Sequence, residues 1–527
     1  MKNKRTEIFI MAIILIIQTI IYVCVSMQKS YLHIDEAYSF GLTNYDKMEI
    51  QDNTDFFNTW HENEYFEDYL AVQDDEKWDF TPVYENQKND IHPPFYYLLL
   101  HIAMGFTNGQ ASKWAGIILN CIIYAFVTIV MYFITKRILK DEKNANKKAL
   151  LLTFMSSIIL ASISNVIYIR MYALLTLEIL ITTLLHMKLF EKKTIKPGIY
   201  IAISISVLAG ILTHYYYLFY LLAIYLVFAI RYIKEKNKKS LLYYTLTMLI
   251  SGIISLIIFP CSIQHMFFGY RGQGVISNLK DFTKIIPGIF SQSYTVDYYV
   301  FHYLLIPILI IIIGCILYKK IRKEQLFTLN KEQKDILKIL YIPTIFFFLI
   351  TSIASPWKVL RYIVPVCGLI FVLVMYYLYK LLQCVFREKI GNIMMCIVFC
   401  SLLITPFVFH LEPELLYSNR KEFMQEIKND LNLPALYVFD SKRGGFLDDI
   451  LPFSILDNSY IAKDIEISQD TLQNIFDNMD ISNGILIFIN QEQNNDMIAT
   501  QVMQALDFSS CDHLQKLNSC DVYYLHF

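Results

Sequence analysis

Asp35 and Glu36 stand side by side in "SYLHIDEAYSF", about eight residues beyond the end of a long apolar run. A carboxylate just outside a bilayer can accept a proton at headgroup depth; the plainer alternative is a solvated pair that helps a helix to begin, since acids suit helix N-termini. The choice depends on whether phosphate-competent cations lie on the same side. Arg170 in "NVIYIRMYALL" and Arg361 in "SPWKVLRYIVPV", with Lys358 a turn before it, sit in apolar surroundings. Arginine there is costly and functional by default, and its planar fork suits phosphate; snorkelling to headgroups is the alternative. His92, before a Pro-Pro pair, could hydrogen-bond an anionic headgroup or simply cap a turn. His214 in "LTHYYYLFY" lies at a turn where a neutral core histidine is the plainer reading, and Arg271 lies in a later polar loop. Glu178, deeper in its apolar run, reads as a structural partner to a neighbouring helix.

The elements that must hold these residues are membrane helices. Of the 527 residues, 55% are hydrophobic, above the usual ~45–50% of soluble domains. The excess falls in runs of the length that crosses a bilayer, about 18–25 residues. Eleven are read, at about 7–27, 112–135, 149–165, 166–187, 198–213, 215–230, 241–262, 299–318, 336–354, 357–379 and 390–410. The first run lacks a small-residue cleavage site and is read as a span, not a signal peptide. With "KNKR" inside, the connections "KRILKDEKNANKK", "KLFEKKTIK", "RYIKEKNKK", "KKIRKEQLFTLNKEQKD" and "KLLQCVFREK" all become cytoplasmic, and all are rich in Lys and Arg, as the positive-inside rule requires. The loop 28–111, with sixteen Asp/Glu against four Lys, becomes external, as does 263–298. An odd number of spans places the C-terminus outside. Asp35, Glu36, His92, Arg170, His214, Arg271 and Arg361 then all lie on the external side. That convergence points to chemistry on a lipid-linked phosphate facing the outer leaflet.

Within the first external loop, "DIHPPFYYLLLHIAMG" (90–105) is too short to span. Its Pro pair fits a helix start, and it reads as an interfacial helix with Tyr96, Tyr97 and His101 at headgroup depth. The tail 411–527 reads as a small α/β unit: "ALYVF", "GILIFI" and "VYYLHF" are β-type runs, and "QDTLQNIFDNM" and "DMIATQVMQAL" have helical periodicity. The division is therefore a transmembrane domain over 1–410 and an extracytoplasmic α/β domain over 411–527, the latter read as a cap or docking domain. Of ten cysteines, Cys511 and Cys520 alone lie in the tail, where a disulfide is permitted. A net charge of −1 gives no reason to expect nucleic-acid binding.

The order of motifs resembles a known family. Asp-Glu after the first span, then "HPPFYYLLLH", "RMYALL", "THYY" and "RYIVP", is similar to the integral-membrane GT-C glycosyltransferases of the protein O-mannosyltransferase type (glycosyltransferase family 39). Related bacterial enzymes move sugars from undecaprenyl phosphate onto cell-envelope acceptors. The similarity covers roughly residues 7–380, and the tail carries no part of it. The resemblance implies a catalytic base at Asp35, acceptor placement by Glu36, and donor-phosphate contacts at Arg170 and Arg361; His214 and Arg271, read on the same external side, are further candidates for donor binding. The residue before the Pro-Pro is often Lys in the family; here it is His92, largely neutral unless a phosphate raises its pKa. The resemblance also implies a single inverting displacement on a polyprenyl-phosphate sugar, a glycan, lipid or protein acceptor, and no metal, although oligosaccharyl relatives with pyrophosphate donors bind a divalent cation. The acidic stretch 46–90 lacks a compact ligand spacing for one.

A transporter or lipid flippase of envelope precursors is the rival of a different class. It predicts inverted repeats and broken helices near the midplane, whereas no internal symmetry is visible here and the charges gather at one face. A membrane scaffold using the tail for docking is the third reading. Basic inner loops without an organelle signal suit a bacterial plasma membrane.

Overall fold

The structure is a computed structural model; it describes residues 2–44, 56–191, 197–429, 433–440, 445–491 and 494–527. A first long helix α1 (Lys2–Ser26) leads to the short α2 (Ile34–Gly41), strand β1 (Trp60–Glu62), and the helices α3 (Asn63–Leu70), α4 (Thr81–Asn89) and α5 (Phe95–Met104). The bundle follows as α6 (Lys113–Ile138), α7 (Ala145–Ser157), α8 (Leu160–Ile167), α9 (Tyr172–Glu191), α10 (Pro197–Thr213), α11 (Tyr217–Lys234) and α12 (Lys238–Ile258). After α13 (Ser262–Phe267), α14 (Tyr270–Lys280) and α15 (Ile285–Val296) come four more long helices: α16 (Leu305–Ile321), α17 (Lys331–Ala354), α18 (Val364–Val385) and α19 (Glu388–Val408). The tail holds α20 (Lys421–Asn429), β2 (Ala435–Phe439), α21 (Ile450–Phe453), β3 (Asn458–Lys463), α22 (Gln469–Phe476), β4 (Ile485–Asn490), α23 (Asn495–Ala505), β5 (Ser510–Lys516) and β6 (Asp521–His526).

Among the described residues, eight helices are long and apolar enough to cross a membrane, or ten if each of two bent pairs counts as one span. The chain is thus a multi-span helical membrane protein with a small C-terminal α/β unit. The expected count of eleven is not reached because α10, the remaining apolar run, has 17 residues and stays among the shorter helices. The first bent pair reads in the sequence as one plain span, 149–165; of the second, 282–298 reads as external loop and only 299–318 as a span. α7 and α8 meet at 55°, and the segment 282–301 meets α16 at 92°. α9 is the most buried span and α1 and α12 are among the least, so α9 runs through the centre and presents its ends to the loops.

The tail forms a six-stranded sheet in the order β1-β3-β2-β4-β6-β5. β3, β2 and β4 are parallel, and β6 and β5 continue antiparallel. The edge strand β1 comes from the first loop and pairs antiparallel with β3, Trp60 opposite Tyr460. Successive side chains of a strand point to opposite faces. Leu436, Val438, Ile487 and Ile489 therefore pack under α22 and α23, while Tyr437, Phe439 and Phe488 face the other way and join the core of the membrane part. There Phe56 and Phe66 from the first loop meet Phe446 and Phe453 from the tail at 5.1–5.8 Å between ring centroids. Burying each such ring contributes about 1.5–3 kcal/mol, so the first loop and the tail are held together as one body. Cys511 and Cys520 are both free thiols, the first half-buried and the second buried.

Candidate active site

α2 begins with a capping box. The His33 Nδ1 accepts from the Asp35 N–H at 3.1 Å, and the Glu36 Oε2 accepts from the His33 N–H at 2.8 Å. An acid at the third helical position satisfying the cap residue in return is the expected use of Glu here. A ring nitrogen that accepts carries no proton, so His33 is neutral, and burial pushes its pKa down in the same sense. Its 3.6 Å approach to the Asp35 carboxylate is then not an ion pair.

Asp35 stands in the first turn of α2 and is held by two other loops. Its Oδ2 accepts from the Tyr168 hydroxyl at 2.6 Å and pairs with the Arg361 Nη1 at 2.8 Å. Its main-chain carbonyl accepts from the Arg170 Nη1 at 2.9 Å, and that same nitrogen also donates to the Ser39 Oγ. Oδ1 has no partner among the described residues, and the side chain remains 24% exposed. Burial would raise the carboxyl's pKa, but the guanidinium groups of Arg170 and Arg361 outweigh it and hold Asp35 well below the usual carboxylate range.

The two arginines lie outside the helices the sequence assigned to them. Arg170 sits in the break between α8 and α9, not inside a span. The Asn120 amide on α6 donates to the carbonyls of Val166 and Tyr168, and the Ile169 N–H donates to the Glu36 Oε1, so the chain's polar groups are satisfied without a continuous helix. Arg361 sits in a single 3-10 turn, 360–362, just before α18, whose Pro365 lies in the first helical positions where proline fits. Its guanidinium lies 5.6 Å from the Trp357 ring centroid, and Arg271 lies 4.4 Å from the same ring. Arg271 and Arg361 thus share the Trp357 ring, and among the described residues Arg271 makes no ion pair with Asp35.

His92 and His214 form a layer behind Arg170, with ring centroids 5.9 Å apart. The His92 Nδ1 is 2.8 Å from the half-buried Asp90 carboxylate and 3.4 Å from the Arg170 Nη2. One nitrogen cannot donate to the first and accept from the second; the shorter contact assigns it the proton and leaves Nε2 as the acceptor. His214 is buried, with its Nδ1 accepting from the Tyr216 N–H. Burial pushes both imidazoles down in pKa, so both are neutral near pH 7.

Glu36 differs from its expected role in placing an acceptor. It is completely buried, paired at 3.0 Å with the equally buried Lys29 Nζ, and its oxygens are occupied by the His33 and Ile169 N–H groups. Its work is to fix the start of α2 and the break that holds Arg170. Removing one partner of a buried pair costs about 3–5 kcal/mol. Glu36→Gln should therefore lower the unfolding temperature sharply, and adding Lys29→Met should cost less than the sum of the two single changes. Additive effects would mean the pair is not coupled.

The interfacial reading of α5 is also corrected. Tyr96 and Tyr97 are fully buried and His101 nearly so. Tyr96 donates to Asn120 Oδ1, Tyr97 lies under the Arg170 guanidinium at 5.6 Å, and His101 bonds the Thr43 carbonyl. Both tyrosine hydroxyls and the His101 Nδ1 find protein partners, so the helix lies in the interior and not on the headgroups. Glu178 is buried in α9 without an ion pair or hydrogen bond among the described residues, so the helix partner expected for it is not found.

The tail contributes residues that no motif announced. Lys29 donates to the Leu415 carbonyl, Ser30 to that of Tyr417, and Tyr31 to the Asp449 carboxylate. The Asn518 amide bridges the carbonyls of Leu32 and Asp448. Behind Arg361, the Glu414 Oε1 accepts from the Leu360 N–H, and burial raises that carboxyl to about 6 despite Arg361. Asp448, half-buried, is raised to about 7 by burial, with Asp449 and Asp35 adding to it.

A carboxyl whose folded-state pKa exceeds its unfolded one stabilises the fold while protonated, and that contribution is lost as pH rises through the folded value. Asp448→Asn should therefore change the unfolding temperature little near pH 4 and raise it near pH 8, by the equivalent of roughly 2–4 kcal/mol. A variant that tracks the parent at every pH would show that Asp448 ionises freely. Among the described residues, no three His, Cys, Asp or Glu side chains are grouped to hold a metal; of the acidic stretch 46–90, residues 46–55 lie outside the described residues.

No protein-family model matches the sequence, and no curated protein matches it significantly. Among solved structures the chain is similar to ArnT from Cupriavidus metallidurans bound to undecaprenyl phosphate, with 11% identity, a TM-score of 0.49 and 97% of each chain covered. The same protein in the apo state gives 10% identity and a TM-score of 0.46, again over 97% of each chain. The archaeal oligosaccharyltransferase AglB from Archaeoglobus fulgidus, in complex with an inhibitory peptide and a dolichol-phosphate, gives 9% identity and a TM-score of 0.45 over 95% of this chain and 71% of that one.

Proposed function

We propose that this protein is a glycosyltransferase that moves a sugar from a polyprenyl phosphate, such as undecaprenyl phosphate, to an acceptor hydroxyl at the outer face of a bacterial plasma membrane. In this reading the N-terminus is cytoplasmic and the tail extracytoplasmic. The observation that carries it is a partly open Asp35 at the loop end of the bundle, its carboxylate paired with Arg361 and its main-chain carbonyl accepting from Arg170. A transporter would place such charges near the midplane.

The geometry suits a single displacement. Asp35 Oδ1, the oxygen without a partner, takes the proton as the acceptor oxygen attacks the sugar C1. The C1–O bond to the lipid phosphate breaks on the opposite side, and the anomeric configuration inverts. Arg361, with Arg170 behind it, faces the departing phosphate dianion, whose charge they stabilise in a site partly shielded from water. In the resting protein, Arg361 depresses the basicity of Asp35. A bound phosphate shares that guanidinium and returns basicity to the carboxylate when it is needed. Glu36, His92 and His214 position these groups. Acceptors of this class are glycans, lipids or proteins bearing a hydroxyl.

Recognition of the lipid phosphate is testable without knowing the sugar. Undecaprenyl phosphate should raise the unfolding temperature of the purified protein in nanodiscs, because a ligand that binds only the native state stabilises it. Undecaprenol, lacking the phosphate, should not, and Arg361→Met should remove the difference. Equal shifts with both lipids would place the recognition in the chain and not in the phosphate, against this proposal.

A further inference from the structure

The helix α15 has its apolar residues on the outside. Phe282, just before it, and Ile286, Phe290 and Tyr294 follow at four-residue spacing and are 81%, 80%, 79% and 58% exposed. The opposite face is mostly small and polar: Gly288, Gln292, Thr295 and Val296 are the buried residues, packed toward α17. A Cβ at Gly288 would fall 2.4 Å from the Ser352 carbonyl oxygen, so only glycine allows this close approach. A helix in contact with water has the reverse arrangement. An apolar stripe of this size on the outer side needs an apolar neighbour.

Two observations identify that neighbour. First, the segment 282–301 meets the apolar helix α16 at 92°. If α16 crosses the bilayer, α15 runs parallel to its plane. Second, the stripe is continuous with the outer face of α16. The Tyr294 and Tyr303 hydroxyls are 3.1 Å apart at the corner, and Ile306, Ile310 and Ile313 beyond it are all more than half exposed. A lipid-facing surface therefore turns the corner without a break. Preceding it, Phe267, Phe268 and Tyr270 are exposed as well.

We propose that α15 is an in-plane membrane helix, its Phe282–Ile286–Phe290–Tyr294 stripe seated in the acyl chains just below the headgroups of the leaflet that the Asp35 cluster faces. Interfacial helices sit about 5–10 Å into that boundary. The inner face of the helix touches the catalytic loop: Gln292 donates to the Val359 carbonyl, two residues before Arg361, and Arg271 on the adjoining α14 stacks on Trp357. The bilayer surface thereby sets the depth of the Arg361 loop. This assignment stands independently of the glycosyltransferase proposal.

The test is Phe290→Trp in the full-length protein, a conservative change at an exposed position, reconstituted in phosphatidylcholine nanodiscs. The added fluorescence is read as the difference from the parent protein, and the lipids carry bromine either near the headgroup end of the acyl chain or near its methyl end. The inference predicts blue-shifted added emission that loses about half its intensity with bromine near the headgroup end and markedly less with bromine near the methyl end. Stronger quenching by the deep bromine would make the segment a re-entrant loop, and blue-shifted emission that neither lipid quenches would mean that protein covers the stripe. Emission at the wavelength of water-exposed tryptophan would leave it in solvent. Each of these three results overturns the assignment.

Discussion

Asp35→Asn is expected to reduce sugar transfer by ~10²–10⁴-fold, the range that one general base contributes, while leaving lipid-phosphate binding intact. The amide keeps the shape of the side chain and can still accept from Tyr168 through its oxygen, but it cannot take a proton. The loss should fall on kcat, because the groups placed to meet the phosphate, Arg361 and Arg170, remain. The same change removes the carboxylate that balances Arg361, whose side chain is 12% exposed. With a partner that is itself about a quarter open, the stability cost should be ~2–3 kcal/mol, below that of a fully buried pair. The folded-state pKa of Asp35 is depressed, so its stabilising contribution is complete above the ordinary carboxylate range and is lost only as pH falls through the lower folded value. The difference in unfolding temperature between parent and variant should therefore be flat from pH ~5 upward. Retained transfer with a normal donor affinity would move the base to another residue.

The second large effect is structural before it is chemical. Arg170 is 4% exposed, and its guanidinium donates to the Asp35 carbonyl and to Ser39 while lying over Tyr97. Arg170→Met removes both donated hydrogen bonds and takes positive charge from between Asp35 and the half-buried Asp90. Burial opposes the ionisation of Asp90, and His92 and Arg170 are among the groups that hold its pKa down. Breaking an arrangement of this kind costs about 3–5 kcal/mol, and the transfer reaction should be lost with it. Arg170→Lys restores the charge without the fork, so it should recover more of the stability than of the activity. Thermal unfolding, read beside transfer activity on the same preparations, separates the two. A Met variant with normal stability would contradict the placement of Arg170 as the brace behind Asp35.

These expectations turn on residues of unequal visibility in the sequence. The spans were legible because apolar runs of membrane length are long signals, and the basic connections order them. Asp35 and Arg361 were legible for a related reason, since a charge beside or within such a run stands out. Tyr168, the closest hydrogen-bond partner of Asp35, gave no signal: in "NVIYIRMY" it looks like one more aromatic in an apolar stretch. The break that carries Arg170 was hidden as well, because the groups that satisfy its backbone, Asn120 and Glu36, come from elsewhere in the chain. Tyr96, Tyr97 and His101 were misplaced at the membrane surface for want of the same information: an aromatic, half-polar helix has one composition whether its partners are headgroups or Asn120 and Thr43.

The tail shows the limit most clearly. Strands β2, β4 and β6 were readable from β-type runs, but the parallel β3 was not, and β1 has three residues, too few for a pattern, and comes from nearly 400 positions earlier. Asp448, Asp449, Glu414 and Asn518 carry no local motif that marks them as neighbours of α2. The grip of Asp449 and Asn518 on residues 31–32, and of Glu414 on the Leu360 N–H before Arg361, exists only in the folded chain.

The most direct measurement offers purified protein in nanodiscs a panel of undecaprenyl-phosphate sugars with candidate hydroxyl acceptors, and follows both free undecaprenyl phosphate and the anomeric configuration of the product. The account predicts that one donor is consumed, that lipid phosphate is released in equal amount with the sugar transferred, and that the product is inverted relative to the donor. A product of retained configuration would contradict the single displacement at Asp35, and a protein that moves these lipids across the bilayer without cleaving them would contradict the glycosyltransferase itself.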